Sequence, residues 1–196
     1  MKNSFAMAFD LDGVLFDFES VFCEKFGHAH RDLYDLYNRY PNSRYYEIEE
    51  FINSSQTYEN LPPIFGGLTL LHEVANRGIK IVYLTQRPRS SKLNTLESMS
   101  NYSFPNAPIF FTDDKFDTVS EWNMVNPDCP IRALVDDNPL VLISLPAGVS
   151  GVCWEQPWNE GVYPRARYNE ENMKVEIQHN WSWPFVDFWE NKYESA

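Results

Sequence analysis

The chain has 196 residues, 43% hydrophobic and 16% aromatic. That is enough to bury one core and carry a small insert. A formal net charge of −12 argues against nucleic acid or an anionic membrane as a partner, since both are held through Lys and Arg. Cys23, Cys129 and Cys153 lack metal-ligand spacing and form no even set, so reduced thiols in a cytoplasmic protein are expected. The first apolar run stops at Asp10, so no signal peptide is expected. No apolar stretch approaches the ~20 residues of a membrane span.

In chain order, the first predicted strand is 5–9. It ends at Asp10-Leu11-Asp12-Gly13, which places two carboxylates and a tight loop at a strand's carboxyl end. Ligands of open α/β sheets bind there. Two acids so close repel each other unless a cation joins them or one holds a proton. From Asp12 to Leu61 follows a stretch rich in Phe, Tyr, Glu and Asp. Phe18, Phe22, Phe26, Leu33, Leu36, Tyr37 and Tyr40 fall roughly at helical spacing, and 45–52 reads as a second helix. This predicts a small helical cap over 17–61, inserted into an α/β core formed by 1–16 and 62–196. Most cap aromatics are expected in a minicore, with Phe18 and Phe22 nearest the strand mouth as exceptions.

Beyond the cap, Leu68, Leu71, Val74 and Ala75 mark a helix that Gly78 stops. Further strands are expected at 80–84, 109–111 and 133–135, with a weaker fifth at 151–154. They lead to Thr85, Thr112 and Asp136. Ser90 is placed to cap a helix running to about Met99, and Pro139 to open another. Strands alternating with helices predict a parallel sheet covered on both faces. The end of the chain carries Trp181, Trp183, Phe185, Phe188 and Trp189, read as a terminal helix packed on the sheet. His28, His30, His72 and His179 match no metal spacing and are read as surface residues.

The strand ends together form an ordered set: Asp10-Leu11-Asp12-Gly13, Leu84-Thr85, Asp114-Lys115 and Val135-Asp136-Asp137-Asn138-Pro139. A lone Asp-x-Asp-Gly is weak evidence, because calcium loops use it too. Four motifs in order, each after a strand, are far more specific. The set resembles the haloacid dehalogenase superfamily of phosphohydrolases over about residues 5–145. The resemblance implies a Rossmann-like sheet, an aspartyl-phosphate intermediate and Mg²⁺. Asp10 would be the nucleophile and Asp12 the general acid and base. Asp10, Asp137 and the backbone carbonyl of Asp12 would face the metal, with Asp136 behind them. Thr85 would hydrogen-bond the phosphoryl group, and Lys115 would offset charge on nucleophile and phosphate. The second aspartate of the first motif disfavours a dehalogenase, whose chemistry needs only the nucleophile.

Several local stretches are similar to the 5′(3′)-deoxyribonucleotidase family. They are Asp12-Gly13-Val14-Leu15 with Asp17-Phe18-Glu19, Leu61-Pro62-Pro63 before Gly66-Gly67, Thr112-Asp113-Asp114-Lys115, Trp154 through Asn159, and the Trp-rich end. That similarity implies a nucleoside monophosphate as substrate, a deoxyribonucleotide in particular, with Phe18 stacked on its base. The segment Gln86-Arg87-Pro88-Arg89 departs from the family's small-residue pattern. Gln86 and Arg87 become candidate substrate contacts, with Arg87 reaching a phosphate or a ribose hydroxyl, or else facing solvent. The alternatives are a phosphatase of another small metabolite and a catalytically silent nucleotide-binding protein.

Overall fold

A computed structural model describes residues 5–178 apart from 29 and 163. The expected C-terminal helix and His179 lie outside the described residues. The centre is one sheet of seven strands in the order β3-β2-β1-β4-β5-β6-β7. These are β1 (Ala6–Phe9), β2 (Lys80–Thr85), β3 (Ile109–Phe111), β4 (Ile131–Asp136), β5 (Ser150–Trp154), β6 (Arg165–Asn169) and β7 (Lys174–Gln178). All neighbours run parallel except β6 and β7, which are antiparallel. The sheet grows outward from β1 through β2 and β3 on one side and through β4 and β5 on the other. Its topological switch point therefore lies between β1 and β4, where such sheets hold ligands beyond the carboxyl ends.

Alternation along the central strands feeds two cores. Met7, Phe9, Ile81, Tyr83, Ala133 and Val135 face one layer, with Leu70, Leu71 and Val74 of α3 (Phe65–Asn76) and Met99 of α4 (Lys92–Asn101). Ala6, Ala8, Val82, Leu84 and Leu134 face the other, with Val119 of α5 (Lys115–Val125) and, at its edge, Val141 and Leu142 of α6 (Pro139–Ile143). Burial on both faces explains why these strands read as unbroken apolar runs. Gly66 and Gly67 allow close approach of α3. A Cβ on Gly67 would lie 2.0 Å from the Val14 carbonyl oxygen, and one on Gly66 would lie 2.3 Å from Tyr168.

The stretch between β1 and α3 holds α1 (Phe18–Phe26), α2 (Tyr45–Asn53) and short 3₁₀ turns. Asp17 starts α1 by accepting the Ser20 N–H at 3.0 Å. Phe22, Phe26, Ile48 and Phe51 form a core separate from the two sheet layers. Phe22 is fully buried there, which corrects its expected place at the strand mouth. The helical spacing of Leu33 to Tyr40 also misleads, because only Leu36–Arg39 turns and it does so as a 3₁₀ segment. The insert leaves and rejoins the core at one point. Asp17 N–H donates to the Pro62 carbonyl at 2.8 Å, Ile64 N–H donates to the Leu15 carbonyl at 2.9 Å, and Phe16 bridges Pro63.

Strands β6 and β7 come in addition to the five strands expected from the sequence. They pair through Arg167 and Glu176, whose side chains meet at 2.9 Å. Charges on the edge of the sheet conceal the strand pattern. The helix expected from Ser90 begins two residues later, after a 3₁₀ turn over Arg89–Ser91. All three cysteines are buried and unpaired. Among the described residues, no helix is long and apolar enough to cross a membrane.

Candidate active site

Asp10 follows β1, and Asp136 ends β4 with Asp137 after it, so adjacent parallel strands deliver three carboxylates to one point. One oxygen from each of Asp10, Asp136 and Asp137 lies within 4.8 Å of the others, and all three residues are buried. Lys115 reaches this trio from the first turn of α5. Its Nζ lies 2.8 Å from Asp10 Oδ1 and donates to Asp136 Oδ2 at 2.7 Å. The helix start is fixed by Asp114, whose carboxylate accepts the Asp117 N–H at 3.0 Å.

The charges do not balance, with three carboxylates facing one ammonium. Burial is the main cause that raises Asp10 to about 7. Lys115 pulls it down, and Asp136 and Asp12 push it up. Burial first, then the charges of Asp136 and Asp10, hold Asp137 well above the usual carboxylate range. Burial alone would lower Lys115, but Asp10 and Asp136 outweigh it and raise the ammonium above its ordinary value. The trio therefore has a deficit of positive charge that one further cation would fill.

The donor set fits a hard divalent cation, for which carboxylate oxygens are the preferred ligands. Both Asp136 oxygens already accept a hydrogen bond, Oδ2 from Lys115 and Oδ1 from the Asn138 N–H at 2.9 Å. Asp10 and Asp137 are thus the side chains that would hold the ion. The Asp137 backbone is pinned from behind. Its carbonyl accepts from Asn159 Nδ2 at 2.9 Å and Trp158 Nε1 at 3.3 Å. Gly13 passes so close that a Cβ there would meet Asp137 Oδ2 at 2.3 Å, and its φ is +77°. Only glycine suits that position.

Asp12 lies apart from the trio. Arg87 grips it by both oxygens, Nε to Oδ2 at 2.8 Å and Nη2 to Oδ1 at 2.7 Å. Arg87 Nη1 donates to Thr95 Oγ1 at 3.1 Å. Of the two alternatives for Arg87, facing solvent is excluded, because the residue is buried and its guanidinium nitrogens are engaged within the protein. Thr85 is buried at the end of β2 and its hydroxyl accepts the Arg87 N–H at 3.2 Å. Gln86 is exposed at the cavity wall and donates to the Asp113 carbonyl at 3.2 Å.

Above these groups is a cavity of about 520 Å³, floored by Asp10, Asp12 and Asp137. Phe18, Tyr34, Tyr37 and Tyr58 of the insert line it, opposite Trp158 and Leu140 of the sheet side. Phe18 is half-buried and stacks on Tyr58 with centroids 6.0 Å apart. Sequence reasoning missed Tyr34, Tyr37, Arg39 and Tyr58. Arg39 Nη1 donates to both Glu19 oxygens at 2.7 and 2.8 Å, and its guanidinium lies 5.4 Å from the Trp158 ring. Tyr34 meets Trp158 edge-on at 6.2 Å. Loss of solvent, then the charges of Asp137, Asp10 and Asp136, raise the Tyr34 phenol above its ordinary value. Only Glu19 carried a visible signal, as part of Asp17-Phe18-Glu19.

No family model and no curated protein sequence matches the chain. Solved structures do match. An L-2-haloacid dehalogenase superposes with a TM-score of 0.51 at 13% identity, over 82% of this chain and 89% of that one. A putative haloacid dehalogenase-like hydrolase from Burkholderia xenovorans gives 0.50 at 15%, over 79% and 85%. The class C acid phosphatase from Bacillus anthracis gives 0.47 at 19%, over 70% of this chain and 53% of that one, so the chain spans about half of its length. The sheet is thus the haloacid dehalogenase-type α/β fold, with a buried aspartate cluster at its switch point.

The charge deficit makes a test independent of activity. Between the unfolded carboxylate value near 3.8 and about 7, native Asp10 keeps a proton that the unfolded chain has lost. The metal-free protein is therefore expected to lose stability as pH rises through that window. Mg²⁺ should raise the melting temperature more at pH 8 than at pH 5, because protons compete for the same oxygens. Thermal unfolding with Mg²⁺ or EDTA at both pH values checks this, and a flat response at pH 8 would count against a metal at Asp10 and Asp137.

Proposed function

We propose that the protein is a Mg²⁺-dependent phosphatase of nucleoside monophosphates, deoxyribonucleotides in particular, and that the insert is its cap. The observation that carries this reading is the surplus of carboxylate over ammonium at Asp10, Asp136, Asp137 and Lys115. Displacing a halide at carbon calls for no such surplus. Binding a divalent cation together with a phosphate does.

An Asp10 oxygen would attack phosphorus, forming an acyl-phosphate bond as the ester P–O bond breaks. Asp12 would give its proton to the departing oxygen. It would then take one from the water that releases inorganic phosphate and restores Asp10. Lys115 favours the ionised form of Asp10 against burial and the neighbouring acids, and would aim it. A Mg²⁺ held by Asp10 and Asp137, with the Asp12 carbonyl as the family pattern implies, would neutralise charge on the transferring phosphoryl group. Gln86 lies at the rim, where a phosphate would enter, and Thr85 would contact the phosphoryl group only by turning its hydroxyl forward.

A panel of phosphate esters assayed with Mg²⁺ tests the reading. Nucleoside monophosphates are expected to be the preferred substrates, and EDTA to remove activity. Preference for a sugar phosphate would overturn the nucleotide assignment alone. Absence of any hydrolysis would overturn the phosphatase.

Phe18→Ala separates base recognition from chemistry. Loss of a stacked ring should cost about 1–3 kcal/mol, roughly tenfold to a hundredfold in kcat/KM, on a nucleotide. A small generic ester should be little affected. Equal losses on both would make Phe18 structural, as part of the Phe18–Tyr58 stack.

A further inference from the structure

Arg87 is held from several sides at the wall of the cavity. Its side chain has 0% exposure, against 26% for that of Asp12. The guanidinium lies between two rings, 4.7 Å from the Phe16 centroid and 4.9 Å from that of Tyr58. Each of its three nitrogens donates a hydrogen bond, two to Asp12 and one to Thr95. A planar fork between rings, with two parallel bonds to one carboxylate, has a single orientation. Lysine cannot reproduce it.

The partner of this fork is Asp12 and not the acid trio. The surplus negative charge lies at Asp10, Asp136 and Asp137, and there a cation that served only charge balance would be placed. Arg87 instead fixes the carboxylate of Asp12 in position and rotamer, with Thr95 and the Thr85 hydroxyl steadying the arginine. Tyr58 belongs to the insert, in the 3₁₀ turn Ser55–Tyr58. The clamp is therefore built from both the sheet side and the roof of the cavity.

We infer that Arg87 is a positioning residue that aims Asp12 at the leaving oxygen, and that it is not a substrate ligand. This rests on the phosphatase reading with Asp12 as proton donor. When Asp12 carries a proton to the ester oxygen, one of its oxygens faces the substrate and the other keeps its bond from Arg87. The clamp thus limits the carboxylate to a swing about one retained hydrogen bond.

The test uses two esters of similar size without a nucleobase. The p-nitrophenyl phosphate leaving group departs with little protonation, whereas that of benzyl phosphate needs it. Arg87→Lys keeps the charge and loses the fork, and Arg87→Met removes both; melting temperatures monitor folding. Arg87→Lys should lose about tenfold more kcat/KM on benzyl phosphate than on p-nitrophenyl phosphate, a part of the full contribution of a general acid. Asp12→Asn should show the same bias more strongly, and the double variant should show no bias beyond that of Asp12→Asn. Equal losses on the two esters, or additive biases in the double variant, would overturn the role of Arg87 and leave the phosphatase standing. A wild-type protein inactive on both esters and on nucleotides would overturn the phosphatase and this role with it. Arg87→Met losing selectively on nucleotides through KM would overturn the inference in favour of direct substrate contact.

Discussion

Asp10→Asn is expected to fold, to melt no lower than wild type above pH 7, and to hydrolyse phosphate esters at least about a thousandfold more slowly. That loss is about 4 kcal/mol of transition-state stabilisation. The two halves of the expectation have one cause. The site holds more carboxylate than it can compensate, so the Asp10 charge is disfavoured and its pKa stands near 7. An amide removes that charge at almost the same volume. It still accepts a hydrogen bond from Lys115, which keeps Asp136 at 2.7 Å. On the proposed reading catalysis would lack its nucleophile while the fold is relieved of a cost. Phosphate release and thermal unfolding measured on one preparation decide it. Activity within tenfold of wild type would exclude Asp10 as the nucleophile, and a large drop in melting temperature would mean that its ion pair with Lys115 holds the fold.

Lys115→Met is expected to act in the opposite sense on stability. Its ammonium is buried and touches two carboxylates. Removing one partner of a buried ion pair costs about 3–5 kcal/mol, because the other charge remains unpaired. Here the charges left behind are those of Asp10, Asp136 and Asp137. The destabilisation should be deeper at pH 8 than at pH 5, since the acids that lost their cation can take up protons only at low pH. Mg²⁺ should recover part of the melting temperature but not the proposed activity, in which Lys115 would also aim the nucleophile. Denaturant unfolding at both pH values, with and without Mg²⁺, measures the effect. A pH-independent loss would place the lysine's contribution in packing instead of charge.

The strand ends were legible because a buried parallel strand must be apolar throughout and must stop where polar chemistry begins. The runs that end before Asp10, at Thr85 and around Asp136 stand out for that reason. Spacing alone does not tell Asp136 from Asp137; the family resemblance does, and the structure adds that both Asp136 oxygens already accept hydrogen bonds. The insert was legible as a helical segment and illegible in its middle. Leu33, Leu36, Tyr37 and Tyr40 are spaced like a helix, yet Asp35 accepts the Tyr37 N–H at 2.9 Å and turns the chain as a 3₁₀ segment. Local side-chain bonds of this kind compete with helix and leave no periodic trace. The partner of Arg87 was hidden for another reason. Asp12 and Thr95 lie far from it or on another element, and nothing in the spacing of Thr85-Gln86-Arg87-Pro88 says which carboxylate the arginine meets.

The junction of the insert has a consequence for how this architecture varies. Asp17 is tied to Pro62, and Ile64 to Leu15, so the two ends of the roof are fastened to each other by the core. Closing a loop costs entropy that grows only logarithmically, about 0.6 kcal/mol for each doubling in length. A longer or shorter roof hung on the same two hydrogen bonds therefore leaves the sheet and its aspartates almost untouched. The residues that roof the cavity can be exchanged as a block, while the aspartates beneath stay where β1 and β4 hold them.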